Sequence, residues 1–169
     1  VVVTPVASIE VADPVAIVRG ASATIAVDVE ALTDDLTGTL SATLPRGWTV
    51  KEAPPPVEGL RRGERRTLRV VLEKTPDAQG GAARFAFVGP KGSSDRTLRV
   101  IDYPHILPQT WYTPAEAILV PEDIAVSVKS VGYIEGAGDD VPQALRRLGV
   151  AVETIDPATA QASDLARYD

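Results

Sequence analysis

The sequence predicts a mostly β protein: a β-sandwich followed by a partial α/β unit of βαβ form. Three observations predict it. From Val1 to Asp102, short β-type runs are divided by turn residues at the spacing of a sandwich. No helical period of useful length occurs before residue 113. From Val128 onward, a β-branched and aromatic run, a glycine turn and an amphipathic segment follow one another, as in a parallel strand–helix–strand unit. The division expected is a sandwich over 1–102, a proline- and aromatic-rich connector over 103–124, and a truncated α/β unit over 125–169.

The predicted strands of the first part are Ser8–Val11 with Ala16–Val18, Ser22–Glu30, Gly38–Leu44, Arg65–Leu72, Ala83–Val88 and Arg96–Ile101. ATIAVDVE alternates, placing Ile25, Val27 and Val29 on one face and Asp28 and Glu30 on the other; Leu68, Val70 and Leu72 do the same in RRTLRVVLEK. Turns are expected at Gly47 and Gly63. Asp102–Pro121 reads as a stiff, proline-restricted connector whose Tyr103, Trp111 and Tyr112 seal the junction around a buried His105. In the last part, Val128–Ile134 reads as a strand covered on both faces. Gly136 and Gly138 turn the chain, Asp139 or Asp140 caps a helix, and Pro142 falls in its first turn. Val141, Ala144, Leu145 and Leu148 form the expected apolar stripe, with Gln143, Arg146 and Arg147 facing water. Gly149 stops the helix, a strand begins at Val150, and a second helix is expected from about Pro157 to Arg167.

Composition narrows the partners. A formal net charge of -6 argues against nucleic acid or an anionic membrane, and no apolar run approaches a membrane span. Without cysteine there is no disulfide and no thiolate metal site, which is neutral about compartment. The first residue is Val, not Met, so the expectation is that a tag, a leader or a whole upstream domain has been removed or lies outside this chain.

Candidate binding residues are aromatic: Trp48, Trp111 and Tyr112. A tryptophan can stack on a sugar, and negative charge does not oppose a neutral glycan. For Trp48, however, the turn at Gly47 and the large apolar ring favour packing in the core, with the indole N–H on a carbonyl. Arg61, Arg62, Arg65 and Arg66 read as a solvated loop balancing nearby acids. His105, the only histidine, is a poor metal ligand, and the carboxylates around Gly136–Gly138 disfavour a phosphate.

Two resemblances accompany this reading. A strand, LPRGWTV (Leu44–Val50), a loop and GLRRGERRTLRV together resemble the immunoglobulin-like sandwich appended to alpha-galactosidases and other bacterial carbohydrate-active enzymes. The segments DYPHILPQTWYTPAEAILVPEDIAV, VGYIEGAGDDVPQALRRLGVAVETID and DLARYD resemble the C-terminal region of large bacterial PIG-L (LmbE-like) deacetylase-family proteins. In those, a deacetylase domain precedes a β-sandwich and a glutamine-amidotransferase-like, flavodoxin-like domain.

The resemblance implies a non-catalytic accessory region of a larger, exported protein (secreted, periplasmic or cell-surface), partnered by other domains of the same polypeptide. Zinc is expected only in an upstream deacetylase domain, and no cofactor in this chain: His105 is followed by Ile106 and Leu107, not by the family's paired aspartates. Amidotransferase chemistry would require a cysteine nucleophile, which the chain lacks. A doubly wound sheet has about five or more strands, so the α/β unit is expected to be incomplete, with an exposed parallel edge that could recruit a second copy as a homodimer. The alternative is a carbohydrate-binding sandwich that presents Trp48 or the Trp111–Tyr112 pair in a shallow groove. An enzyme built on Asp34–Asp35 or Asp139–Asp140 ranks last, because adjacent loop acids are ordinarily just solvated.

Overall fold

The computed structural model describes residues 5–122, 124–136, 138–158 and 167–168. These are mostly β, in several sheets, with one short helix. The chain divides into two compact units, Val1–Pro121 and Glu122–Asp169.

In the first unit, β1 (Ala7–Val11), β3 (Ser22–Ala31), β7 (Arg65–Lys74) and β5 (Trp48–Glu52) form an antiparallel sheet in the order β1-β3-β7-β5. A second sheet has the order β2-β12-β8-β4-β6, from β2 (Val15–Ile17), β12 (Glu116–Val120), β8 (Gly81–Gly89), β4 (Leu36–Thr43) and β6 (Val57–Leu60), with β9 (Gly92–Ser94) paired to β8. β2 runs parallel to β12, and the other pairs are antiparallel. The hairpin of β10 (Arg96–Ile101) and β11 (Gln109–Pro114) makes a separate ribbon.

Period-two alternation builds the core. Ile25, Val27, Val29 and Ala31 of β3 are buried, as are Leu68, Val70 and Leu72 of β7. They share one apolar cluster with Phe85 and Phe87 of β8 and Ala117 and Leu119 of β12, so both sheets contribute to a single core. Gly38 and Gly89 let β4 and β8 approach closely: a Cβ on Gly89 would lie 2.1 Å from the Thr37 carbonyl oxygen.

Five strands depart from expectation, each for a visible reason. β5 buries only Trp48, and β6 buries its two ends, Val57 and Leu60, around Gly59 at φ +61, so neither alternates. β9 has three residues. β11 and β12 fall where a connector was expected. The inward residues here are Ala115, just before β12, and Ala117 within it, whose small side chains carry little hydrophobic signal although both are buried. Residues 109–114 and 116–120 therefore belong to strands, and 102–108 loops out between β10 and β11.

The second unit holds β13 (Ser130–Tyr133), α1 (Val141–Arg147) and β14 (Ala151–Thr154). β13 and β14 pair in parallel, from Ser130 opposite Ala151 to Tyr133 opposite Thr154. β13 is shorter than the expected 128–134 and is half-buried, not covered, with Val128 and Ile134 exposed. The helix is turned relative to its expected stripe. Pro142 is buried, Leu145 and Leu148 are half-buried, and Val141 and Ala144 face solvent. With Pro142 in the first turn of only seven helical residues, the buried face is set from that proline.

Gly149, at φ +79, ends α1: its N–H donates to Arg146 O (2.9 Å) while that of Val150 donates to Leu145 O (3.1 Å). This is the Schellman pattern, with Val150 buried beside it. At the start of the expected second helix, Asp156 Oδ1 accepts from the Ala158 N–H at 2.9 Å; residues 159–166 of that helix lie outside the described residues.

Candidate functional site

Trp48 is in the core, 5% exposed, and its Nε1–H donates to Gln79 O at 3.0 Å. Gly47, at φ +82, makes the turn that folds it inward, and a side chain there would strike Ala78. A ring so placed has no open face for stacking on a sugar.

Trp111 and Tyr112 are exposed, at 43% and 39%, but they do not form one platform. They are neighbours in β11, and successive strand residues point to opposite faces. Trp111 stands opposite Arg99 in β10, and Tyr112 opposite Leu98. One face of the ribbon thus carries Trp111, Arg99 and Gln109; the other carries Tyr112, Leu98 and the exposed Val100.

The ribbon is fixed to β1 by polar groups. Thr97 Oγ1 donates to Ile9 O, and the Leu98 N–H donates to Ser8 Oγ at 2.9 Å. Ser8 and Thr97 are buried, and Arg99 Nη1 reaches Glu10 Oε1 at 2.7 Å. The loop at its tip exposes Tyr103, His105, Ile106 and Leu107, the last at 86%. His105, expected to be buried, is exposed, as are Tyr103, Trp111 and Tyr112. Strand chemistry was present in QTWYT, since Thr, Trp and Tyr suit a half-exposed pleat. The Ser8 and Thr97 anchors have no sequence signal.

Of Arg61, Arg62, Arg65 and Arg66, Arg65 is held by carboxylates. Arg65 lies 2.9 Å from Glu30, 3.6 Å from Glu10 and 4.0 Å from Asp28, and the hydrogen bond to Glu30 raises its pKa. A cleft of about 330 Å³ beside Pro114 and Ala115 is lined by Arg84, Asp95 and Arg96. Both arginines are engaged there, Arg84 with Glu116 at 3.2 Å and Arg96 with Asp95 at 3.1 Å. Asp34 and Asp35 shape a turn: Asp35 adopts φ 51, and Lys91 Nζ donates to Asp34 O (2.6 Å) and pairs with Asp35 (3.6 Å).

In the second unit, Asp139 is held by Tyr133, whose hydroxyl donates to Oδ2, and by the Val141 N–H on Oδ1 at 2.9 Å. The tyrosine bond, then the amide, hold the Asp139 carboxyl below the usual range, and the same bond raises the Tyr133 pKa. Asp139 thus takes the helix-start amide that a phosphate would need, while Asp140 makes no side-chain capping bond. Among the described residues, no three histidine or carboxylate side chains are grouped to hold a metal ion.

No protein-family model matches this chain, and no curated protein matches it.

Proposed function

We propose that this chain is a non-catalytic accessory and interaction region of a larger PIG-L-type (N-acetylglucosaminyl deacetylase-like) protein, positioning a zinc-dependent catalytic domain that lies outside it. In this reading the first unit is an immunoglobulin-like sandwich and the second the start of a flavodoxin-like sheet. The protein is exported, and its partners are the other domains of the same polypeptide.

The observation that supports it is the order of parts. A two-sheet unit with one core ends at Pro121, and a parallel strand–helix–strand follows it. That is the order of the region the motifs resemble. The conspicuous side chains of the chain also have structural duties: Trp48 packs, Arg65 and Asp139 are tied by neighbours, and the ribbon is clamped to β1.

The test is activity. The isolated chain is expected to be silent on N-acetylated sugars with and without zinc, while the protein purified from its source deacetylates them and stops when chelated. Hydrolysis by the isolated chain would overturn the reading.

Exposure of Trp111 beside Arg99 and Gln109 favours a second reading, a carbohydrate-binding ribbon. There Trp111→Ala abolishes retention on polysaccharide while Tyr112→Ala, on the other face, does not; equal effects would sink it.

A further inference from the structure

The β11 edge differs from every other outer strand described in the first unit. β5 carries Lys51 and Glu52, shifts register between Val50 and Glu52, and leads into Pro54–Pro56. β6 has four residues, includes Glu58, and shifts register on β4. β2 and β9 have three residues each, and β1 is covered by β10 through Ser8 and Thr97. Shortness, charge, bulges and cover are the means by which sheet edges avoid pairing with other chains. β11 uses none of them. QTWYTP carries no charge, keeps an unbroken register with β10, and has its one proline as the last residue. Among the described residues it pairs with β10 alone, and Gln109 to Tyr112 are all exposed.

We propose that β11 is a strand-addition edge and that its occupant is β11 of a second copy of this chain, paired antiparallel about a two-fold axis. A row of unpaired N–H and C=O groups is satisfied by another extended backbone, so the edge itself calls for a strand. Trp111 and Tyr112 stand exposed on the two faces of the edge, and aromatic side chains pair favourably across strands, so a strand that carries aromatics on both faces suits it, as β11 itself does. A net charge of -6 opposes self-association over most of the surface. β11 adds nothing to that repulsion, and the arginines behind it are already paired with Glu10 and Asp95. A two-fold contact is self-complementary, setting Trp111 against its own copy in one register or Tyr112 against its own in the next. It also brings the exposed Val100, Tyr103, Ile106 and Leu107 of the same hairpin towards a partner surface. The contact is distinct from the parallel edge of β13 and β14.

Light scattering and sedimentation of the whole chain over a concentration series test the proposal, beside the variant Thr110→Lys/Tyr112→Lys. The expected mass at high concentration is twice 17.8 kDa. The variant is expected to halve it with an unchanged circular-dichroism spectrum. Hydrogen exchange on the unmodified protein guards against a variant that misfolds: amides of 109–113 should slow as concentration rises, and those of β5 should not. A monomer at every concentration, a dimer indifferent to the lysines, or a dimer with unprotected β11 amides each overturns the proposal. So does a monomer that takes up an unrelated uncharged peptide or an oligosaccharide at this edge.

Discussion

Arg65 of β7 and Glu30 of β3 stand opposite each other, with Nη2 2.9 Å from Oε2. The same guanidinium reaches towards Glu10 and Asp28, which themselves lie directly opposite on β1 and β3. Like charges opposite one another destabilise a strand pair. Arg65, with Arg99 on Glu10, offsets that repulsion across three strands.

Arg65→Met is therefore expected to lower stability, but by about 1 kcal/mol or less, because the side chain is half exposed and surface pairs are weak. The loss should shrink at high salt. Urea midpoints at low and high ionic strength check this; a salt-independent loss would assign Arg65 a packing role instead.

Trp48→Ala should cost about 3–5 kcal/mol, the range for emptying a large buried aromatic site. Trp48→Phe should cost far less, on the order of 1 kcal/mol, since it mainly removes the bond to Gln79 O. Chemical unfolding distinguishes the two. A stable Trp48→Ala protein would contradict the core assignment.

Gly89→Ala places a Cβ against the Thr37 backbone, which cannot rotate away, and should destabilise by about 1–3 kcal/mol or more. Gly20→Ala meets nothing within 4 Å and should stay within about 0.5 kcal/mol of the parent. Equal thermal shifts for the two would contradict the close approach of β4 and β8.

Much of this arrangement was legible in the residues. Alternation in 22–30 and 65–72 identified the core-facing Ile25, Val27, Val29, Leu68, Val70 and Leu72, and Gly47 marked the turn that buries Trp48. Strands whose inward residues are small or irregularly spaced were not legible: Ala115 and Ala117 look indifferent until Phe85 and Phe87 share their core. The ribbon was hidden for another reason. Its position depends on Ser8 and Thr97, whose hydroxyls reach residues about ninety positions away. Adjacent aromatics suggested a joint platform, whereas strand geometry sends Trp111 and Tyr112 to opposite faces.

The Tyr133–Asp139 bond predicts a two-sided pH dependence in the second unit. Asp139 has a lowered pKa in the fold, so its contribution is present above the ordinary carboxylate value of about 3.9 and is lost as pH falls through the folded value. Tyr133 has a raised pKa, so its contribution is present below about 10 and is lost as pH rises through its folded value. The Val141 amide resonance should report the acid step with a midpoint below the ordinary value, and Asp139→Asn should abolish it and return Tyr133 towards about 10. An acid midpoint at or above about 3.9 would contradict the bond.

The accessory role is tested most directly by the intact mass of the natural protein, measured by immunoblot and mass spectrometry from its source. A mass several times 17.8 kDa, with a zinc-binding domain upstream of this chain, is the predicted result. A mass close to 17.8 kDa would contradict it and leave the ribbon as the place to seek a free-standing binding activity.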